Sequence, residues 1–163
     1  MTTHHDLVVT AAPDVPFVMM EREIDATVAQ VYRAYTEPAL LVQWMGPRGM
    51  AMDVTEHEMR VGGRWAFTHT DEEGNVYGFR GVFHQVLPNE QIVQTFEFDG
   101  YPGHVSLERV NLEDLGDRTL IRTHSVFQSQ EDRDGMVASG MERGVREGYE
   151  RLEELLGVRP TIS

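Results

Sequence analysis

The sequence predicts an α+β domain in which a curved antiparallel sheet of about seven strands wraps around one long C-terminal helix, with two short helices after the first strand. Three observations carry this expectation. From about Met50 to Phe127 short runs alternate with turn clusters, and connections this short join antiparallel strands. After Ser129 apolar residues recur at helical spacing as far as Leu156. A meander with one apolar face needs a cover, and the last segment is the element long enough to supply it.

Each element has a local reason. Residues 1–14 are polar, include Leu7-Val8-Val9 and lead into Pro13-Asp14-Val15-Pro16, so they read as a tail or an edge strand. Phe17 to Ile24 is unpunctuated and reads as a strand. Asp25-Ala26-Thr27 offers helix caps, and Val28, Val31, Tyr32 and Tyr35 follow at helical spacing. Thr36-Glu37-Pro38 restarts a second short helix, with Leu40, Leu41 and Trp44 as its apolar residues and Gly46-Pro47 as its stop. Six strands are predicted near 51–58, 64–70, 76–87, 91–98, 104–113 and 118–127, separated by turns such as Gly62-Gly63 and Pro88-Asn89-Glu90. Ser129 with Glu131 and Asp132 is a helix start. Val137, Met141, Val145, Tyr149, Leu152 and Leu156 continue its stripe, and one unbroken helix there would span roughly 40 Å at 1.5 Å per residue.

A length of 163 residues suits one domain, placed at 15–158 between the N-terminal segment 1–14 and a C-terminal tail at 159–163. The 14 basic residues, all Arg, face 27 acidic ones, giving a net charge of −13. That field repels phosphate backbones and anionic membrane surfaces, so no nucleic-acid partner is expected. With no lysine, Schiff-base chemistry and a P-loop are excluded. With no cysteine, disulfides and thiolate zinc sites are excluded. No stretch approaches the ~20 apolar residues of a membrane span, and the start lacks a secretory pattern, so no membrane insertion and a cytoplasmic location are expected.

The order of elements is the helix-grip plan, and particular residues go further. Ile24-Asp25-Ala26, Val31 to Thr36, Pro38 and Gln43-Trp44-Met45-Gly46-Pro47 resemble the start of a branch of the START-like (SRPBCC) superfamily. That branch is the bacterial family similar to the C-terminal domain of the activator of heat-shock protein ATPase. Arg60-Val61-Gly62-Gly63-Arg64-Trp65 resembles its double-glycine signature, and Gly81 with Pro88 to Val93 its next hairpin. Gly116 to Thr119 resembles its last turn, and Gly140, Gly144, Gly148-Tyr149 and Leu152 its final helix. The resemblance covers about Phe17 to Leu156. It implies a deep cavity between helix and sheet, in a superfamily whose members bind lipids and other apolar molecules, transform them, or contact partner proteins.

Against that implied cavity the residues divide as follows. Trp44, Trp65, Phe67, Phe96, Met141 and Tyr149 are expected as apolar wall, each also readable as plain core. Gly144 recurs with Gly140 and Gly148 every four residues. Each helical glycine costs about 1 kcal/mol relative to Ala, which implies close packing or room for a ligand beneath the helix. His69 shares a strand face with Trp65 and Phe67, and is the candidate polar group and the weak candidate for an acid or base. Arg109 is a candidate for a ligand carboxylate if it faces inward. The alternative is that Val105, Leu107, Arg109 and Asn111, like Leu120, Arg122, His124 and Val126, lie on the outer face. The histidines are scattered, and Glu56-His57-Glu58 is not a metalloprotease motif, so neither a metal site nor another cofactor is expected.

The leading expectation is a binding domain for a small, largely apolar molecule. The alternatives are an enzyme in the same pocket, acting as a cyclase or hydrolase, and a protein-interaction module of the chaperone-regulator kind. A homodimer is compatible with the sequence.

Overall fold

A computed structural model describes residues 5–157; His4 and the tail expected at 159–163 lie outside the described residues. Eight strands form one curved, unclosed antiparallel sheet: β1 (Val8–Thr10), β2 (Phe17–Ile24), β3 (Ala51–His57), β4 (Arg64–Thr70), β5 (Val76–Leu87), β6 (Gln91–Phe98), β7 (Val105–Asp114) and β8 (Thr119–Val126). Their order in the sheet is β1-β2-β8-β7-β6-β5-β4-β3. The hairpins therefore run outward from β8 to β3, and the first long strand closes back beside the last. The strand beyond the expected seven is β1, so the N-terminal segment takes the edge-strand reading, with Val8 opposite Glu21 and Thr10 opposite Met19. Two side chains hold this segment in place. His5 Nε2 lies 2.9 Å from Asp25 Oδ1, and Arg133 Nη1 donates to the Ala12 carbonyl at 2.7 Å.

Helix α1 (Val28–Thr36) opens on a capping box. The Thr27 side chain accepts from the Gln30 backbone, and the Gln30 side chain accepts from the Thr27 backbone. Helix α2 (Pro38–Leu41) is a single turn with Pro38 at its first position, where a missing N–H costs nothing. The chain then loops through Trp44 to Pro47 rather than continuing as helix.

The C-terminal segment departs from the expected single rod. It divides into α3 (Gln130–Ala138) and α4 (Met141–Leu155), separated by Ser139 and by Gly140 at φ +89°. That left-handed conformation favours glycine and ends a right-handed helix. Gly140 is therefore the break between two helices and not a member of a glycine stripe. The covering rod is α4 alone, about 22 Å at 1.5 Å per residue.

The core lies between the concave face of the sheet, α1 and α4, with Val18, Ile24, Val31, Ile121 and Leu152 fully buried. Arg22 of β2 donates to Glu153 of α4 at 2.7 Å, and both side chains are buried. Among the described residues no helix is long and apolar enough to cross a membrane.

Candidate functional site

Alternation along β4 turns Trp65, Phe67 and His69 inward, each less than a tenth exposed. Neighbouring strands add Phe79 and Phe96, and these rings form one continuous wall. Trp65 lies 5.4 Å from Phe67 and 5.8 Å from Phe96, and Phe79 lies 5.2 Å from Phe67 and 5.4 Å from Phe96. Glycine at position 81 makes this wall fit, because a Cβ there would lie 1.9 Å from the Thr95 carbonyl and 2.5 Å from Trp65 Nε1. The indole instead lies against the backbone and donates to that carbonyl at 3.2 Å.

The opposite wall comes from the helices. Trp44 donates through Nε1 to the Ala34 carbonyl at 2.9 Å and stacks on Tyr149 at 6.2 Å. Helix α4 reaches this loop because position 148 carries no side chain. A Cβ there would meet Gly46 N at 3.3 Å and Trp44 O at 3.4 Å. Arg151 then donates to the carbonyls of Gln43, Gly46 and Pro47.

Between the two walls lies a cavity of about 310 Å³. Its apolar lining includes Trp44, Trp65, Phe67, Phe79, Phe83, Phe96 and Met141. Its polar residues include one cross-strand group, with Glu56, His57, His69 and Arg109 elsewhere on the lining. Gln94, Glu108 and Ser125 are direct cross-strand neighbours on β6, β7 and β8, and all three line the cavity, with Thr123 next along β8. Across from them Tyr35 and Tyr149 bring their hydroxyls within 3.3 Å of each other. Burial pushes the Glu108 carboxyl up to about 7, against a weak opposing hydrogen bond from Ser125 Oγ at 3.5 Å. Burial also raises both tyrosines and the Glu108 charge adds to this, while at Tyr149 the Tyr35 hydrogen bond and the Arg22 charge act the other way.

His69 occupies a separate part of the wall, edge-on to Phe79 at 5.6 Å. Its Nε2 is buried and has no hydrogen-bond partner among the described residues, and Gly46 packs directly against its ring. Burial lowers its pKa, and the Arg151 charge lowers it further, while a backbone hydrogen bond with Met45 works the other way. Its surround thus disfavours the charged imidazolium.

Trp44, Trp65, Phe67, His69, Phe96, Met141, Gly144 and Tyr149 all stand on the cavity lining. Arg109 also stands on that lining, but it does not present its side chain as an inward polar group. Its side chain is exposed on the convex face, opposite His124. The reason is register: Ser106, Glu108, Val110 and Leu112 take the inner face of β7, so the odd-numbered residues face out. Arg122 is likewise outside, 3.4 Å from Glu21 and 3.0 Å from Glu113. Sequence reasoning weighed Glu108 only as an arginine's partner and missed Gln94 and Thr123. The signal that exposes them is the pairing of β6, β7 and β8, which sets polar residues side by side on an apolar face.

Residues 25–157 match the family described as Activator of Hsp90 ATPase homolog 1-like protein. The chain belongs to that family. No curated protein matches the sequence. Solved structures of the same fold include a solution structure of an Arthrobacter aurescens protein, 26% identical with a TM-score of 0.84, covering 92% of this chain and 91% of that one. A crystal structure of a Rhodobacter sphaeroides protein is 25% identical with a TM-score of 0.85, covering 93% of this chain and 99% of that one. A Mycobacterium smegmatis protein shares the fold at 19% identity, with a TM-score of 0.83 over 91% of this chain and 95% of that one. Fold and family together mark a domain of the ligand-binding or regulator type.

Proposed function

We propose that the chain is a binding domain that holds a small, largely apolar molecule between α4 and the sheet. The observation that carries this reading is the cavity of about 310 Å³, walled by aromatic rings and carrying polar groups that include the Gln94, Glu108 and Ser125 rung. That composition is what a small-molecule site requires: apolar area for affinity and a few polar atoms for orientation. An interaction module would favour a filled interior, and the open interior supports binding instead.

The test is to fill the space. Gly144 lines the cavity, and a Cβ there would meet only Pro47, at an ordinary 3.6 Å. Gly144→Leu is expected to fold, to lose any small molecule seen on the freshly purified wild type by native mass spectrometry, and to lose binding of the neutral dye Nile red. Equal dye binding by variant and wild type would place the bound molecule elsewhere and end the reading.

A further inference from the structure

The polar group in the cavity has a definite chemical sense. Glu108 stands in a rung of three neighbouring strands, between Gln94 and Ser125. A carboxylate offers about four acceptor positions, and the Ser125 hydroxyl reaches one oxygen only at 3.5 Å. Thr123 Oγ1, lining the same cavity, is buried with no hydrogen-bond partner among the described residues. The hydroxyls of Tyr35 and Tyr149 lie near each other on the helix side. Among the described residues no arginine side chain is free at the rung: Arg109 stands on the cavity lining but is exposed, Arg122 is outside with Glu21 and Glu113, and the buried Arg22 is paired with Glu153. The Glu108 carboxyl thus keeps most of its acceptor capacity unused, and the one buried arginine nearby, Arg22, is already paired with Glu153. The net charge of −13 adds a field that opposes entry of anions and favours cations.

We propose that the cavity takes an apolar molecule whose polar end donates hydrogen bonds, an amine or an alcohol, to the Glu108 carboxyl, and that it rejects carboxylates. The tail of the molecule lies on the Trp65, Phe67 and Phe96 wall, and its head group sits at the rung. An ammonium head places a positive charge beside Glu108 and stabilises its ionised form; an alcohol donates one hydrogen bond to either form. A carboxylate head would bring a second negative charge against Glu108 in a largely apolar cavity. This proposal rests on the cavity-binding reading and sharpens it.

The experiment uses three probes with the same tail: octylamine, octanol and octanoate. Binding is followed at pH 8 by the fluorescence of the two tryptophans, both on the cavity lining. Octylamine and octanol are expected to bind, with octanoate at least tenfold weaker. In Glu108→Gln the octylamine affinity is expected to fall about tenfold and octanoate to approach octanol. If no probe binds the wild type and none competes with Nile red, the cavity-binding reading itself fails. If all three bind the wild type alike, or if the ranking survives Glu108→Gln, the cavity is a binding site but the assignment of Glu108 is wrong. Equal binding of the three probes by the wild type overturns the assignment without any variant, and the expected ranking is credited to Glu108 only when it is lost in Glu108→Gln.

Discussion

Glu108 shows how one residue's chemistry follows from its place in the fold. In the unfolded chain its carboxyl titrates near 4.5, and in the folded protein near 7. Between those values the folded state binds more protons, so stability falls as pH rises through the window. The shift corresponds to about 3 kcal/mol once both states are ionised. Ser125 and Gln94 on the sheet and Tyr35 and Tyr149 on the helices are the groups that face it. His69 and His124 act in the opposite sense, because burial lowers both and so removes stability as pH falls through the ordinary imidazole range near 6.5. A comparison with Glu108→Gln isolates the carboxyl. Relative to wild type, the variant is expected to gain about 3 kcal/mol between pH 4 and pH 8 in urea denaturation. Parallel stability curves would show that the carboxyl titrates normally. In the sequence Glu108 was indistinguishable from the exposed Arg109 beside it, because a strand pattern defines two faces without saying which is concave.

At the scale of elements, Gly140 and the Arg22–Glu153 pair place the cover. Nothing lies within 4 Å of a Cβ built at Gly140, so the effect of Gly140→Ala is set by its φ of +89° alone. The left-handed backbone is expected to cost about 1–2 kcal/mol and lower the melting temperature by several degrees. In an uninterrupted helix the same change would raise stability, so the sign of the shift in a thermal melt separates the two structures. Arg22 and Glu153 tie β2 to α4 out of reach of water. Arg22→Met leaves the carboxylate buried without its partner and is expected to cost about 3–5 kcal/mol, most of it recovered in Arg22→Met/Glu153→Leu. A double variant as unstable as the single one would show that the loss comes from packing rather than from an uncompensated charge. Strands β4, β5 and β6 were legible to the residue because Gly62-Gly63, Asp71 to Asn75 and Pro88-Asn89 mark their ends locally. The helix break was not, because glycine is equally permitted inside the stripe and at its interruption.

At the scale of the whole molecule, stability is distributed unevenly. Helix α3 buries Arg133 alone, whereas α4 buries Gly148, Tyr149, Leu152 and Glu153. Hydrogen exchange is therefore expected to be fast across α3 and slow across the second half of α4 and the central strands β6 to β8. Uniform protection of both helices would show that they open as one unit. Nile red or an occupying amine should slow exchange at the cavity-facing residues of α4 first.

The order of elements, the ends of most strands, the capped start of α1 and the aromatic character of the cavity wall were set by local signals that one sequence carries: turn residues, caps and side-chain period. Which face of each strand is concave was decided only in three dimensions. A period of two defines two faces, but the choice depends on cross-strand register and on the shifts at Val54/Glu56 and Phe83/Gln85. The same cause put Glu108 inside and Arg109 outside. The cavity belongs to the tertiary structure alone, because it is the volume left when α4, held off by its own side chains and tied at Gly148, Arg151 and Glu153, settles over a curved sheet.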